Sequence, residues 1–474
     1  NAWRMPFTVE LPNGCAASIL EADVRDYPRS YLTVAGGVIR PSFAIGVKEG
    51  RGEIVSPWRA VQLAPNAGKL IETAYFIENL NEPCAIADTS WIQPGLSISD
   101  AGNCELITEQ VIDAARAAKR CGAKYFQMDW GWYGTEYAWS DSDRATFRTG
   151  HPEFANDTTW EANTYANPYS VAKGTVPYHP WWPYDCHRRG VDLDIPRIVA
   201  ELKKMGMGLG LYVHGAVLEA NDLDRLFATY ASWGVVALKP GFVSFGSQKA
   251  TEWMRTLAAT AAKHRLWIDI HDAQIPDGFE RTYPNVMLSE GGGGEEGNHP
   301  ARQDVALPFT RCLSGPFDFT PRLFNPDDHK KGTKAHEVAL FLCYPGPAAV
   351  MRGDVRKLLE TDASVVEFLK ALPWNYDDTR VLDAAIARHL VVARRRGENW
   401  YLAGMTGEKE HTAEASLDFL PDGREFTLKL WRDDFTSESR PRGYVCETRC
   451  VRKGDSLAVP MARCGGFLAL IERR

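Results

Sequence analysis

IPRIVAELKKM, residues 195–205, is followed two residues later by GLGLYVH, residues 208–214. The first string reads as a helix and the second as a strand, and the pair is one turn of a repeating helix–strand unit. Working outward, the same unit recurs on both sides. Upstream, residues 105–120 carry apolar residues at 107, 111, 112 and 115, a helical period that Cys121-Gly122 ends before the strand Lys124–Asp129. Downstream, a helix over Leu223–Trp233 precedes a strand over Val235–Val243, and a helix over Trp253–His264 precedes a strand over Leu266–His271. Val286–Ser289 makes a further short strand, and Val305–Leu313 and Ala348–Met351 are candidates for later ones. Units at this spacing imply a parallel sheet, and their number favours a closed (β/α)8 TIM barrel over an open sheet.

Either side of this rhythm the text changes. From Pro6 to about Glu82 it alternates apolar and polar residues, as in Phe7–Leu11 and Tyr75–Ile77, broken by Gly, Pro and Asn, which predicts a β-region. It starts as if inside such a region, so an upstream part is expected. After Pro373, short strands around 390–394, 400–404, 426–431 and 466–471 predict a C-terminal β-sandwich. The expected α/β architecture therefore has a partial N-terminal β-sandwich at 1–86, a barrel at 87–375 and a C-terminal β-sandwich at 376–474. Residues 135–190 interrupt the barrel with Trp139, Trp160, Trp181 and Trp182, either a substrate-shaping insertion or a small packed subdomain.

Bulk properties exclude several functions. A net charge of -7 leaves no basic patch for nucleic acid, and no run of 18 apolar residues or signal-peptide pattern is present. Ten cysteines lack paired CxxC spacing, which argues against a zinc site or dense disulfides. Cys446 and Cys450 are close enough to pair in an oxidising compartment, and equally read as two free thiols. No GxSxG or HExxH motif occurs, so esterase and zincin chemistry fall away.

In a (β/α)8 barrel the reacting groups stand at the C-terminal ends of the strands. Those positions hold Asp129 with Trp130 to Tyr133, His214, Lys239 with Gly241, His271 with Asp272, and Glu290. The glycine run 291–294 can turn Glu295 and Glu296 back toward the same point. Asp129, Asp272, Glu290 and Glu296 around one mouth suit glycoside hydrolysis, or the oxygen ligation of a hard cation such as Ca²⁺, or both. His214 and His271 read either as substrate contacts or as satisfied core residues. Some of the 15 Trp, 17 Tyr and 20 Phe suit the apolar faces of sugar rings, while ordinary packing accounts for most.

The chain resembles glycoside hydrolase family 97, calcium-containing α-glucosidases and α-galactosidases, through EADVRDYP (21–28), LNEPC (80–84), DTSWI (88–92), RTYPN (281–285), PFTR (308–311) and GPFDFTP (315–321). The resemblance implies an exo-acting α-glycosidase, periplasmic or secreted, that takes an oligosaccharide or glycoside. It also implies roles: Glu296 as general acid, and Glu21, Asp272 and Glu290 as Ca²⁺ ligands, with Asp272 at the inverting branch's catalytic base. Asp129, Trp130, His214, Lys239 and His271 are then the expected substrate contacts. Two departures stand out. The family's base is Glu, and Asp272 is shorter by one methylene, about 1.5 Å of reach. Gly241 stands where the retaining branch carries its Asp nucleophile, so the expected mechanism is inverting; a decayed carbohydrate-binding scaffold and an altered chemistry are the alternatives.

Overall fold

The computed structural model describes residues 2–43, 46, 48–50, 52–99, 107–129, 132, 193–297, 299–321, 332–435 and 443–474. Trp130, Gly131, Tyr133 and the tryptophans of the 135–190 segment lie outside them.

The N-terminal region has two three-stranded antiparallel sheets. Strands β1 (Ala2–Arg4), β4 (Ser30–Ala35) and β5 (Val38–Phe43) form one, and β2 (Phe7–Glu10), β3 (Ala16–Ala22) and β6 (Trp58–Ala64) the other. Tyr75–Ile77 is not a strand, as its alternation predicts, but part of a 3-10 helix over Ala74–Leu80 that buries Ile77 alone. Asn66 starts the turn before it, its side chain accepting from Lys69 N, so the local capping bond sets a helical path that the three-residue alternation could not reveal.

The middle of the chain is a parallel sheet of seven strands: β7 (Gly95–Ser99), β8 (Tyr125–Met128), β9 (Gly208–His214), β10 (Ala237–Gly241), β11 (Trp267–Ile270), β12 (Val286–Ser289) and β13 (Ala348–Arg352), with β13 pairing back to β7. Helices Thr108–Arg120, Ile195–Lys204, Leu223–Trp233 and Gln248–Lys263 precede β8 to β11 in turn. The last three start on capping residues: Asp194, Asp222 and Ser247 accept backbone N–H groups from the first turns, and Gly234 ends one helix at φ +87. Strand β7 was not visible in the periodicity, because GLSIS is short and buried throughout.

Among the described residues the barrel is nearly closed, with seven regular strands rather than eight. Between β12 and β13 the non-repetitive segment 315–321 takes the missing place, with Asp318 N donating to Ser289 O at 2.9 Å, Phe317 N to Pro345 O at 3.0 Å and Arg352 N to Pro321 O at 2.9 Å. Val305–Leu313, expected as a strand, is a helix over Ala301–Ala306 followed by two 3-10 turns. Pro308 withholds the N–H that a strand ladder would need.

The C-terminal region pairs a six-stranded antiparallel sheet with a two-stranded one. The larger contains β14 (Asp378–Ala385), β15 (His389–Arg396), β16 (Asn399–Thr406), β18 (Glu425–Asp433), β19 (Tyr444–Arg452) and β21 (Gly466–Arg473); the smaller contains β17 (His411–Ser416) and β20 (Ser456–Met461). Its interior is an apolar cluster that includes Val391, Trp400, Leu402, Leu428, Leu457 and Phe467. Cys446 and Cys450, both on β19, are free and exposed, so the two-thiol reading holds. No helix among the described residues is long and apolar enough to cross a membrane.

Candidate active site

Side chains alternate along a strand, so every second residue of a barrel strand points inward. Low in the barrel those residues are apolar: Tyr125, Ala237, Trp267, Met287 and Ala348 pack together, with the Tyr125 and Trp267 rings edge to face at 5.0 Å. Two residues higher the same strands carry charge. Lys239 follows Ala237, Asp269 follows Trp267, His271 comes two later, and Arg352 stands two after Val350. The floor is thus dry and the mouth ionic.

Lys239 is the hub of the ionic layer. Its side chain is 2% exposed, and its Nζ donates to Asp318 Oδ2 at 2.9 Å and lies 3.5 Å from Asp269 Oδ2. Burial alone would pull its pKa down, but the facing carboxylates overcome that and hold it well above the ordinary lysine value. Burial and the Asp318 charge push Asp269 well above the usual carboxylate range, whereas Lys239 and His271 outweigh burial at Asp318 and hold it far below. The Lys239 charge is thus committed mainly to Asp318, and Asp269 ionises less readily than its neighbour.

His271 links this layer to the opening. Its Nδ1 lies 3.2 Å from Glu290 Oε2 and 3.7 Å from Asp318 Oδ2, and its Nε2 lies 3.2 Å from Glu296 Oε2. Burial and the Lys239 ammonium oppose its charge, but Asp318, Glu296 and Glu290 outweigh both and push its pKa up to about 10. It is an imidazolium at neutral pH. Glu296 also pairs with the Arg352 guanidinium. Burial works against its ionisation, yet the His271 hydrogen bond and Arg352 hold it well below the usual range. Glu290 goes the other way: burial, added to the Asp318 and Asp272 charges, pushes it up to about 7 despite His271.

The loops that deliver these groups explain the glycine run. Gly291 sits at φ +55, and a Cβ on Gly294 would stand 2.5 Å from Phe319 O, so the chain can reach Glu296 only without side chains here. Glu295 N donates to Phe319 O at 2.7 Å, tying the loop to the irregular segment. Asp272 adopts φ +66, with its backbone N–H on Glu290 Oε2 at 2.6 Å and its carboxylate accepting from Phe242 N–H.

Most expected site residues on the barrel meet at this mouth. Asp129 accepts from Ser99 Oγ at 3.2 Å and lies 3.8 Å from Arg352. His214 stacks on the Phe242 ring, centroids 5.0 Å apart. Trp132 is instead core, its indole N–H donating to Tyr212 O at 2.7 Å. Glu21 pairs with Arg59 at 3.0 Å and lines a small cavity together with Ala273 and Gln274, the residues that follow Asp272, outside the set of ligand atoms that lie within 4.8 Å of one another. Sequence reasoning missed Asp269, Asp318, Arg352 and Tyr212. Asp269 and Arg352 leave a signal, a charge inside a buried strand; Asp318 leaves only its motif, because its strand is irregular. Tyr212 gives Gly241 its meaning, since a Cβ at 241 would stand 2.5 Å from Tyr212 Oη. The space of a nucleophile at that position is taken by a phenol ring.

The two carboxylates present fit a hard cation. Oxygens of Asp272 and Glu290 lie within 4.8 Å of each other and of a His271 ring nitrogen, and a cation held by the carboxylates, with the protonated His271 outside its ligand set, would relieve the buried Glu290 carboxyl.

Comparison with known proteins gives the same scaffold. Profiles of the glycosyl-hydrolase 97 N-terminal region, glycoside hydrolase 97 and the glycosyl-hydrolase 97 C-terminal (oligomerisation) region match residues 1–83, 177–292 and 375–472. The chain belongs to glycoside hydrolase family 97. A probable retaining α-galactosidase of Streptomyces bingchenggensis is 29% identical over 96% of this chain, which spans 65% of that protein's length. A retaining α-galactosidase of Bacteroides thetaiotaomicron is 24% identical over 99% of this chain and 71% of its own. A family 97 enzyme from Pseudoalteromonas sp. strain K8, solved with acarbose, superposes at a TM-score of 0.82 with 24% identity, covering 99% of this chain and 74% of that one. A β-arabinopyranosidase gives 0.74 at 18% identity over 98% and 71%. These two likenesses establish the fold.

Proposed function

We propose that the chain is an exo-acting α-glycoside hydrolase that inverts configuration, with Glu296 delivering the proton and Asp272 activating water. The observation that carries this reading is the His271–Glu296 hydrogen bond at the barrel mouth, with Gly241 closed off by Tyr212. The pair holds one proton, resting on His271 Nε2 while Arg352 neutralises Glu296. A sugar whose leaving oxygen takes the place of Arg352 removes the group that keeps Glu296 ionised. The proton then passes from His271 through Glu296 to the leaving oxygen as the glycosidic bond breaks. On the opposite face Asp272 takes a proton from water, whose oxygen bonds to the anomeric carbon. Asp318, itself fixed by Lys239, lies 3.7 Å from His271 Nδ1 and supports the ring from below. A Ca²⁺ would be held by Asp272 and Glu290 and would supply a positive charge beside the attacking water; Glu21, paired with Arg59, would have to release that partner to join.

Proton NMR on an α-glucoside and an α-galactoside tests the reading. The β-anomer is expected first, and Glu296→Gln should lower kcat/KM by about 10³-fold while leaving the melting temperature within a few degrees. The α-anomer first would overturn inversion, and failure to cleave either would overturn the hydrolase. A chelator should lower activity and melting temperature together, and no change would remove the ion from the scheme. A retaining α-galactosidase is the second reading, favoured by the names of the two sequence relatives. Asp129, beside Arg352, is then the carboxylate to test.

A further inference from the structure

Asp383, His389 and His411 form a second group of possible ligands, away from the barrel mouth and on the C-terminal sandwich. His389 Nε2 lies 3.0 Å from Asp383 Oδ1, and His411 Nε2 lies 2.7 Å from Asp383 Oδ2. The two imidazoles are parallel, centroids 3.7 Å apart at 6°, so both Nε2 atoms point at one carboxylate from the same side. All three side chains are partly open to solvent.

We propose that this cluster is a binding site for a zinc-class divalent cation that clips the two sheets of the sandwich together. A tetrahedral ion with ligands at about 2.0–2.2 Å sets its donors roughly 3.4 Å apart. The three donor atoms already lie within 4.8 Å of one another, and closing the site requires the two stacked rings to tilt apart, because the Nε2 lone pairs of parallel imidazoles run side by side rather than converging on one ion. Two imidazoles and one carboxylate suit a first-row ion such as Zn²⁺ rather than Ca²⁺, and leave the fourth position to water. The backbone is arranged for it. A register irregularity between Val381 and Asp383 on β14 turns Asp383 toward the start of β15, where His389 is the first residue. His411 is the first residue of β17, which belongs to the other sheet, so an ion here joins strands that share no ladder. A His–Asp–His hydrogen-bonded cluster without a metal is the competing account.

Zn²⁺ titration of the full chain against a chromophoric chelator separates the two. The proposal expects a zinc site of micromolar or tighter affinity that His389→Ala and His411→Ala each weaken at least about 30-fold. Glu290→Gln, which alters the barrel mouth, should leave that site unchanged. Asp383→Asn keeps a hydrogen-bond acceptor for an imidazole and so guards against misfolding. It should lose zinc affinity and the zinc-dependent rise in melting temperature while its far-UV spectrum stays as in the parent. No zinc uptake, or uptake that the sandwich variants do not weaken, overturns the proposal.

Discussion

The upper barrel and the interior of the C-terminal sandwich are equally hidden from water but built from opposite chemistry. Lys239, Asp269 and Asp318 are almost wholly buried, as are Val391, Leu402 and Phe467. The sandwich gains stability from burial alone, because each apolar side chain removed from water is favourable without a partner. The barrel layer gains little, since desolvating an ion pair offsets most of its attraction. Buried charges also occur away from the mouth, as at Asp433 on β18, where Thr333 Oγ1 and the backbone N–H groups of Ala462 and Gly466 donate to the carboxylate, but the layer under His271 and Glu296 brings three of them into mutual contact.

Three substitutions would break or sharpen that contrast. Lys239→Met should have the largest effect, because it strands Asp318 in a dry site: unfolding in urea should show a loss of about 3–5 kcal/mol, and activity should vanish. Adding Asp318→Asn should restore most of the stability but none of the activity. If it restores both, the ionic layer is structural only. In the sandwich, Leu402→Ala should cost about 2–5 kcal/mol while kcat/KM, measured well below the unfolding temperature, stays as in the parent. A change in kcat/KM would show that the sandwich is coupled to the mouth.

The smallest effect concerns a buried acid away from the mouth. Glu280 lies in the 3-10 turn before β12, and burial together with the Asp277 charge pushes its pKa up to about 8. Its folded value exceeds its unfolded one, so its protonated form contributes stability fully below about pH 4.5, and that contribution is lost as pH rises toward 8. Glu280→Gln should flatten this decline by on the order of 1–3 kcal/mol, read as melting temperature between pH 5 and 8. An unchanged slope would mean that Glu280 stays ionised in the fold.

What the sequence displayed was set by local physics. Helices Ile195–Lys204 and Leu223–Trp233 and strand β9 follow from apolar period, capping residues and a terminal glycine, so they were legible from Ile195 to Gly234. Strand β7 and the 3-10 helix at Ala74–Leu80 were not, because a short buried run carries no period and three alternating residues fit more than one path.

The same division runs through the site. The sequence by itself determined that His271, Asp272, Glu290 and Glu296 lie on one short stretch that ends two barrel strands, and that a glycine run returns the chain to it. Only the tertiary structure decided their charge states. Glu290 and Glu296 are chemically identical and both resist ionisation through burial, yet Glu290, with Asp318 and Asp272 adding to that burial, rises to about 7, while the His271 hydrogen bond and Arg352, 56 residues away in sequence, outweigh burial at Glu296 and lower it. Tyr212 and Gly241 show the same limit. Adjacent strands set them side by side, and no reading along one chain reveals which ring fills which gap. Ionisation and steric exclusion depend on what lies a few ångströms away in space, and that distance is fixed by strand register and barrel closure.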